Sequence, residues 1–222
     1  MCGFIKKNKT KLFIGVVALA VLAAAFYFGG NAPGSRGWGT AKTTASEVKT
    51  DDGVDQYGTG PIPEGKPQPV EPENAIHTGR SGLCTISITC ESILREEHIN
   101  WFDKEKSELL PEDGVILPAT EVAFSEGDSV FDVLLRTCTD NKIHLEYVNT
   151  PLYNSAYLEG IGNIYQFDCG SASGWMYSVN DWFPIYGCSR YAVQDGDVIE
   201  IVYSCELGED VGGGLSVRGG TT

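Results

Sequence analysis

The chain has 222 residues and a net charge of −14, enough for one domain of ordinary size with extra segments around it. The charge is unevenly placed. Lys6, Lys7, Lys9 and Lys11 precede an uncharged run, and everything beyond that run holds all 30 acidic residues and 12 of the 16 basic ones, a net of −18. A surface of that sign repels phosphate backbones and anionic headgroups, which argues against nucleic acid as a partner.

The uncharged run is Leu12 to Phe28 (LFIGVVALAVLAAAFYF). At a rise of about 1.5 Å per residue it is near the shortest helix that spans a bilayer core. Lysines on its N-terminal side, with no acidic residue before Glu47, place the N-terminus in the cytoplasm and the rest outside. Ala23-Ala24-Ala25 also satisfies the small-residue site of a cleavable signal peptide. The bulky Phe26-Tyr27-Phe28 continues the run past those alanines and favours a retained anchor. The expectation is a single-pass cell-membrane protein, with residues 1–28 as cytoplasmic start and anchor, contacting the bilayer through residues 12–28.

Residues 29–80 hold ten glycines and six prolines with few large apolar residues. Such a segment buries too little to offset chain entropy and is expected to be a disordered linker, with an r.m.s. span of roughly 40 Å. Pro61 to Glu73 (PIPEGKPQPVEPE) is its stiffest part.

Residues 81–208 carry the periodic signal. Thr85 to Thr89 alternates, with Ile86 and Ile88 on one face in phase with Cys84 and Cys90. Ser92 to Leu110 is expected to be helical, with Ile93, Leu94, Trp101 and Phe102 as apolar contacts and Pro111 as its stop. Val115 to Phe124 reads as one or two short strands broken by Pro118. Ser129-Val-Phe-Asp132 resembles a capping box, after which Val130, Val133, Leu134 and Cys138 share a helix face. Strands are expected at His144–Val148, about Gly162–Asp168, Trp175–Val179 and Asp197–Ser204. Residues 209–222 form a loose Gly-rich tail. The expected fold is α+β, a β-grasp-like mixed sheet whose first and last strands pair in the centre, with one packed helix and a helical insertion. An open β-sandwich is the alternative.

Cys2 falls on the cytoplasmic side, and Cys84, Cys90, Cys138, Cys169, Cys188 and Cys205 fall in the exported part. Six cysteines in an oxidising compartment point to three disulfides. Parallel pairing of the first and last strands places Cys90 and Cys205 at one end, with Cys138, so that two of these three are expected to pair. Cys169 and Cys188 flank the 173–180 strand and are candidates to bridge each other. No close Cys/His spacing marks a metal site, and no G-x-S-x-G or C-x-x-C pattern marks a catalytic centre, so neither a metal nor an enzyme is expected. Asp195-Gly-Asp197 reads as a turn.

Aromatic residues crowd the C-terminal half. Period-2 geometry places Trp175 and Tyr177 on one strand face, where they either complete the core or meet a ligand. Trp182, Phe183 and Tyr186 stand in a loop, where such groups mark a ligand or partner patch.

Ser173 to Asn180 (SGWMYSVN), followed by Phe183-Pro184, Gly187, Tyr191 and Asp195 to Cys205 (DGDVIEIVYSC), resembles the transcobalamin-like C-terminal domain, and Gly127 to Cys138 (GDSVFDVLLRTC) fits the same pattern. The resemblance implies a β-grasp module of exported Gram-positive bacterial proteins, mostly of unassigned role. In vertebrate cobalamin carriers the module closes as a lid over the corrin. It implies that Trp175, Tyr177, Trp182, Phe183 and Tyr186 meet a small flat ligand such as cobalamin or another corrinoid. The alternative is a structural or adhesive surface module that docks a protein.

Overall fold

The computed structural model describes residues 53–214; the anchor expected at 12–28 and the end of the Gly-rich tail lie outside them. Among the described residues no helix is long and apolar enough to cross a membrane. The fold is α+β with two sheets. The larger has the order β2-β1-β7-β6, built from β1 (Ser81–Thr89), β2 (Val115–Ser125), β6 (Gly174–Val179) and β7 (Val198–Ser204). The smaller has the order β3-β4-β5, from β3 (Leu145–Thr150), β4 (Ser155–Ile161) and β5 (Ile164–Tyr165).

The first and last strands pair in parallel at the centre, Thr85 opposite Val198 through Thr89 opposite Val202. Antiparallel β2 and β6 flank them. Period-2 alternation sets the faces: Cys84, Ile86 and Ile88 of β1 and Ile199, Ile201 and Tyr203 of β7 are buried, while Thr85, Ser87, Glu200 and Val202 between them are less so. Each fully buried isoleucine contributes about 1.5–3 kcal/mol relative to exposure.

Among the described residues one α-helix, α1 (Val130–Asn141), covers this core with Val130, Val133, Leu134, Thr137 and Cys138. Its start is the capping box expected from sequence: Ser129 Oγ accepts from the Asp132 N–H, and Asp132 Oδ2 accepts from the Ser129 N–H. It ends where Lys142 turns left-handed and the Ile143 N–H reaches back to Cys138 O.

Several expectations need correction. Ser92–Leu110 is not an α-helix but two 3-10 turns, Glu91–Leu94 and Lys104–Leu109, with bends between. Its apolar residues fall in three separate groups, Ile93-Leu94, Ile99 to Phe102 and Leu109-Leu110, of which only Ile93 and Phe102 are buried, so no continuous stripe faces the core, and Asp103 starts a new turn by accepting from the Glu105 N–H. Pro118 does not split β2. That strand is a sheet edge, and a register shift between Ile86 and Ile88 accommodates the proline there. The 155–161 strand was not anticipated, because its buried entry residues Ser155 and Ala156 give no strand signal.

Gly53 to Ile76 lies against the domain as an arm, not as free linker, and Glu209–Val211 forms a further 3-10 turn. The arm folds a turn in which Asp55 Oδ1 accepts from the Tyr57 and Thr59 N–H groups. Further along, the Val70 N–H donates to Arg190 O.

Candidate functional site

Residues 190–193 form a rail between the arm and α1. On one side Arg190 O accepts from Val70; on the other the Val130 N–H donates to Tyr191 O and the Val193 N–H to Asp128 O. Beside this rail opens a groove of about 800 Å³, walled by the arm and the residue after it (Val70, Pro72, Ala75, His77), the first turns of α1 (Ser129, Phe131, Leu135) and the β3–β4 hairpin (Asn149 to Pro151 and Asn154 to Ala156).

Polar ties join these walls. Asn154 Nδ2, at the hairpin tip, donates to Glu71 Oε2 at 2.6 Å and Glu73 Oε2 at 3.0 Å on the arm. The hairpin meets the rail through the Ser189 N–H on Ser155 Oγ and the Ala156 N–H on Ser189 Oγ. Gly187 makes this approach possible, since a Cβ there would stand 2.1 Å from Ser155 Oγ. The charges at the α1 end are internally matched: Asp128 Oδ2 accepts from Arg136 and from the Ser125 N–H. The lining combines apolar Phe131, Leu135, Ala156 and Val70 with uncharged polar groups from Asn149, Thr150 and Ser189, beside His77, Asp132 and the paired Asp128 and Arg136, a surface suited to an amphipathic small molecule.

The arm is fastened by Arg190, whose side chain is 1% exposed. Its guanidinium donates to Asp55 Oδ2, Glu71 Oε1 and Thr59 Oγ1 and stacks over the Tyr57 ring at 4.9 Å. Burial alone would raise the Asp55 pKa; hydrogen bonds from Arg190 and from the Thr59 and Tyr57 N–H groups outweigh it and hold the carboxyl below its ordinary value.

The five aromatic residues singled out from sequence do not form an open ligand face. Trp175 and Tyr177 are core: Trp175 Nε1 donates to Ile164 O, and Tyr177 Oη donates to Tyr186 O. Tyr186 is buried, stacked on Tyr191, and donates its hydroxyl to Pro67 O of the arm. Trp182 is half-buried, edge-on to Tyr186, with Lys66 Nζ 5.4 Å above its ring. Phe183 lies under Gly213. The loop aromatics thus receive the chain's own arm and tail. Of the groove residues, the sequence signal available was the turn chemistry of Pro151 and Asn154, with Asn154 at φ 47°.

No disulfide joins Cys84, Cys90, Cys138, Cys169, Cys188 and Cys205 in this structure, where their number pointed to three; all six are buried. Cys169 stands not beside Cys188 but beside Cys205, with sulfurs 2.9 Å apart. Cys84, Cys90 and Cys188 direct their thiols to the carbonyls of Val122, Gly114 and Ala156, and burial pushes them up to about 11, 12 and 12 respectively. Cys138 is likewise pushed up to about 11.

One group among the described residues has metal-ligand residue types: His98, Cys205 and Asp210, with donor atoms within 4.8 Å of one another. Most of its donors are already engaged. His98 Nδ1 is 2.7 Å from Ser92 O, and Asp210 accepts from the Ser204 hydroxyl and the Cys205 N–H. His98 Nε2 has no hydrogen-bond partner; Glu206 Oε1 lies 3.4 Å away.

Residues 127–204 match a family described as a domain of unknown function, DUF4430. The match contains the Gly127–Cys138, Ser173–Asn180 and Asp195–Ser204 segments on which the transcobalamin-like resemblance rests. No curated protein matches the chain. Among solved structures it is similar to haptocorrin in complex with Cbi, at 13% identity and TM-score 0.42, over 60% of this chain and 27% of that one. It is also similar to a proposed metal-binding protein from Ruminococcus gnavus, at 13% identity and TM-score 0.31, over 55% of this chain and 96% of that one. The chain therefore spans about a quarter of haptocorrin.

Proposed function

We propose that the chain is a β-grasp binding module, displayed outside the cell membrane on an N-terminal anchor at residues 12–28, that takes a small amphipathic ligand in the groove between the arm, α1 and the β3–β4 hairpin. The observation that carries this reading is the groove itself: about 800 Å³, within the range of small-molecule sites. Its walls are already brought together by polar ties in the unliganded chain, so little ordering is required when a ligand enters. Corrinoids are the first class to test, because the sequence motifs resemble those of a cobalamin-carrier lid. Cobinamide is the probe.

Titration of the exported chain, residues 29–222, with cobinamide is expected to raise Tm, by an increment corresponding to about 2.7 kcal/mol at a hundredfold excess over Kd. Leu135→Arg, at an exposed groove position, is expected to abolish the shift without lowering the unliganded Tm. A shift unchanged in Leu135→Arg would move the site elsewhere. No shift with any corrinoid would remove that ligand class.

A second reading has its own support. Leu152, Tyr153, Val148 and Tyr157 on the hairpin are 67%, 55%, 47% and 46% exposed, an apolar display suited to docking a surface protein. Capture of such a partner by the parent chain, lost in a Leu152→Asp, Tyr153→Asp variant, would favour an adhesive role.

A further inference from the structure

The strongest feature outside the groove is the meeting of Cys169, in the turn between β5 and β6, with Cys205, just past β7. The sulfurs are 2.9 Å apart, and the residues are 0% and 1% exposed. Their positions are set by the backbone. The Phe167 N–H donates to Ser173 O and the Leu207 N–H to Ala172 O, while the Cys169 N–H donates to Ser173 Oγ. Tyr203 Oη bridges Ser173 Oγ and Tyr165 O at 2.8 Å each. The 167–173 turn is thereby registered against the end of β7, with both thiols facing inward.

We propose that Cys169 and Cys205 form a disulfide in the exported protein, the bond that staples the β5–β6 turn to the C-terminal end of the central strand. Closure requires the sulfurs to approach by less than about 1 Å, to the usual bond length near 2.05 Å. The competing chemistry fits less well: two thiolates on one tetrahedral zinc, each about 2.3 Å from the metal, stand about 3.7 Å apart. That would force the pair open, and the other donors nearby are largely engaged.

Closure proceeds by exchange with a small-molecule disulfide during folding, before the site is buried. One cysteine thiolate attacks the reagent, forming a mixed disulfide and releasing one small thiolate. The second then displaces the other, and the two protons leave on the released thiols.

The staple also bears on a hollow of about 320 Å³ lined by Tyr157, Phe167, Trp175, Met176 and Leu207. Phe167 and Leu207 lie two residues before Cys169 and two after Cys205. Both adopt left-handed backbone, φ 70° and 52°, and are 60% and 65% exposed. Bulky residues persist there only where the surroundings fix them, and the covalent bond is the strongest such restraint.

The test is peptide mapping of the unreduced exported chain, alkylated under denaturing conditions, after production in an oxidising compartment or refolding with oxidised glutathione. The expected result is a Cys169–Cys205 linked peptide pair. Cys169→Ser and Cys205→Ser are each expected to lower Tm by about 5–15 °C, with the double variant no worse than either single one. Alkylation of both cysteines, or linkage of Cys169 to Cys188, would overturn the proposal. So would one retained zinc per chain whose chelation is needed before the two thiols react. The mapping is read on the native protein and stands even if a serine variant fails to fold.

Discussion

Helix α1 and the arm 53–76 both lie on the same domain, but they are held by opposite means. The helix buries an apolar stripe of Val130, Val133, Leu134 and Cys138 and closes its own N-terminus with Ser129 and Asp132. The arm buries little; it is held by Arg190 on Asp55, Glu71 and Thr59, by Tyr186 on Pro67 and by Asn154 on Glu71 and Glu73. Apolar burial couples an element to the global fold. A set of polar ties between distant residues can be released while the rest stands. The arm is thus the separable wall of the groove, and α1 its fixed one.

Leu134→Ala breaks the fixed side. The residue is 0% exposed, and its truncation is expected to lower global stability by about 2–5 kcal/mol. In chemical denaturation the loss should reach the sheet amides as fully as those of the helix. A loss confined to the helix would show that α1 is not part of the cooperative core.

Arg190→Met breaks the separable side. It strands Asp55 and Glu71, whose side chains are 22% and 18% exposed, so they can turn to water and the loss falls at the low end for a broken buried pair, about 3 kcal/mol. Hydrogen exchange should rise at Val70, Tyr57 and Thr59 and stay unchanged at Ile86 and Ile201. Equal acceleration at all five would mean that the arm is an integral part of the core.

The same contrast governs what was legible in the sequence. Signals confined to a few neighbouring residues were readable: the 129–132 capping box, the period-2 burial of β1 and β7, and with it the central parallel pairing. The arm was read as linker because its composition is that of one. What orders it is a set of partners far away in sequence, Arg190 foremost, more than a hundred positions on, and no window contains both sides. The aromatic loop misled for the same reason: Trp182 and Tyr186 looked uncovered because Lys66 and Pro67, which cover them, belong to a segment expected to be absent from the fold. The groove needs three such separated segments together; the α1 start and the turn at Pro151–Asn154 left local traces, but nothing local brought them to the arm. The cysteines showed the complementary limit, since counting them gave a number of bridges but no geometry.

Acid offers the mildest way to separate the two regions. Asp55 is the group whose pKa in the fold lies below the ordinary value of 3.8. A depressed carboxylate stabilises the folded arrangement above its unfolded pKa, and that contribution is lost as pH falls through the folded one. The arm should therefore stay seated from neutral pH down to about pH 4 and loosen only below it, while α1, held by apolar contacts, keeps its amide signals over the same interval. Following the Val70 and Tyr57 amides by NMR from about pH 7 to about pH 2 should give a midpoint below 3.8, absent in Arg190→Met because its arm is already released. A midpoint above 3.8 would mean that burial of Asp55 outweighs its hydrogen bonds from Arg190, and that the arginine positions the arm without holding it.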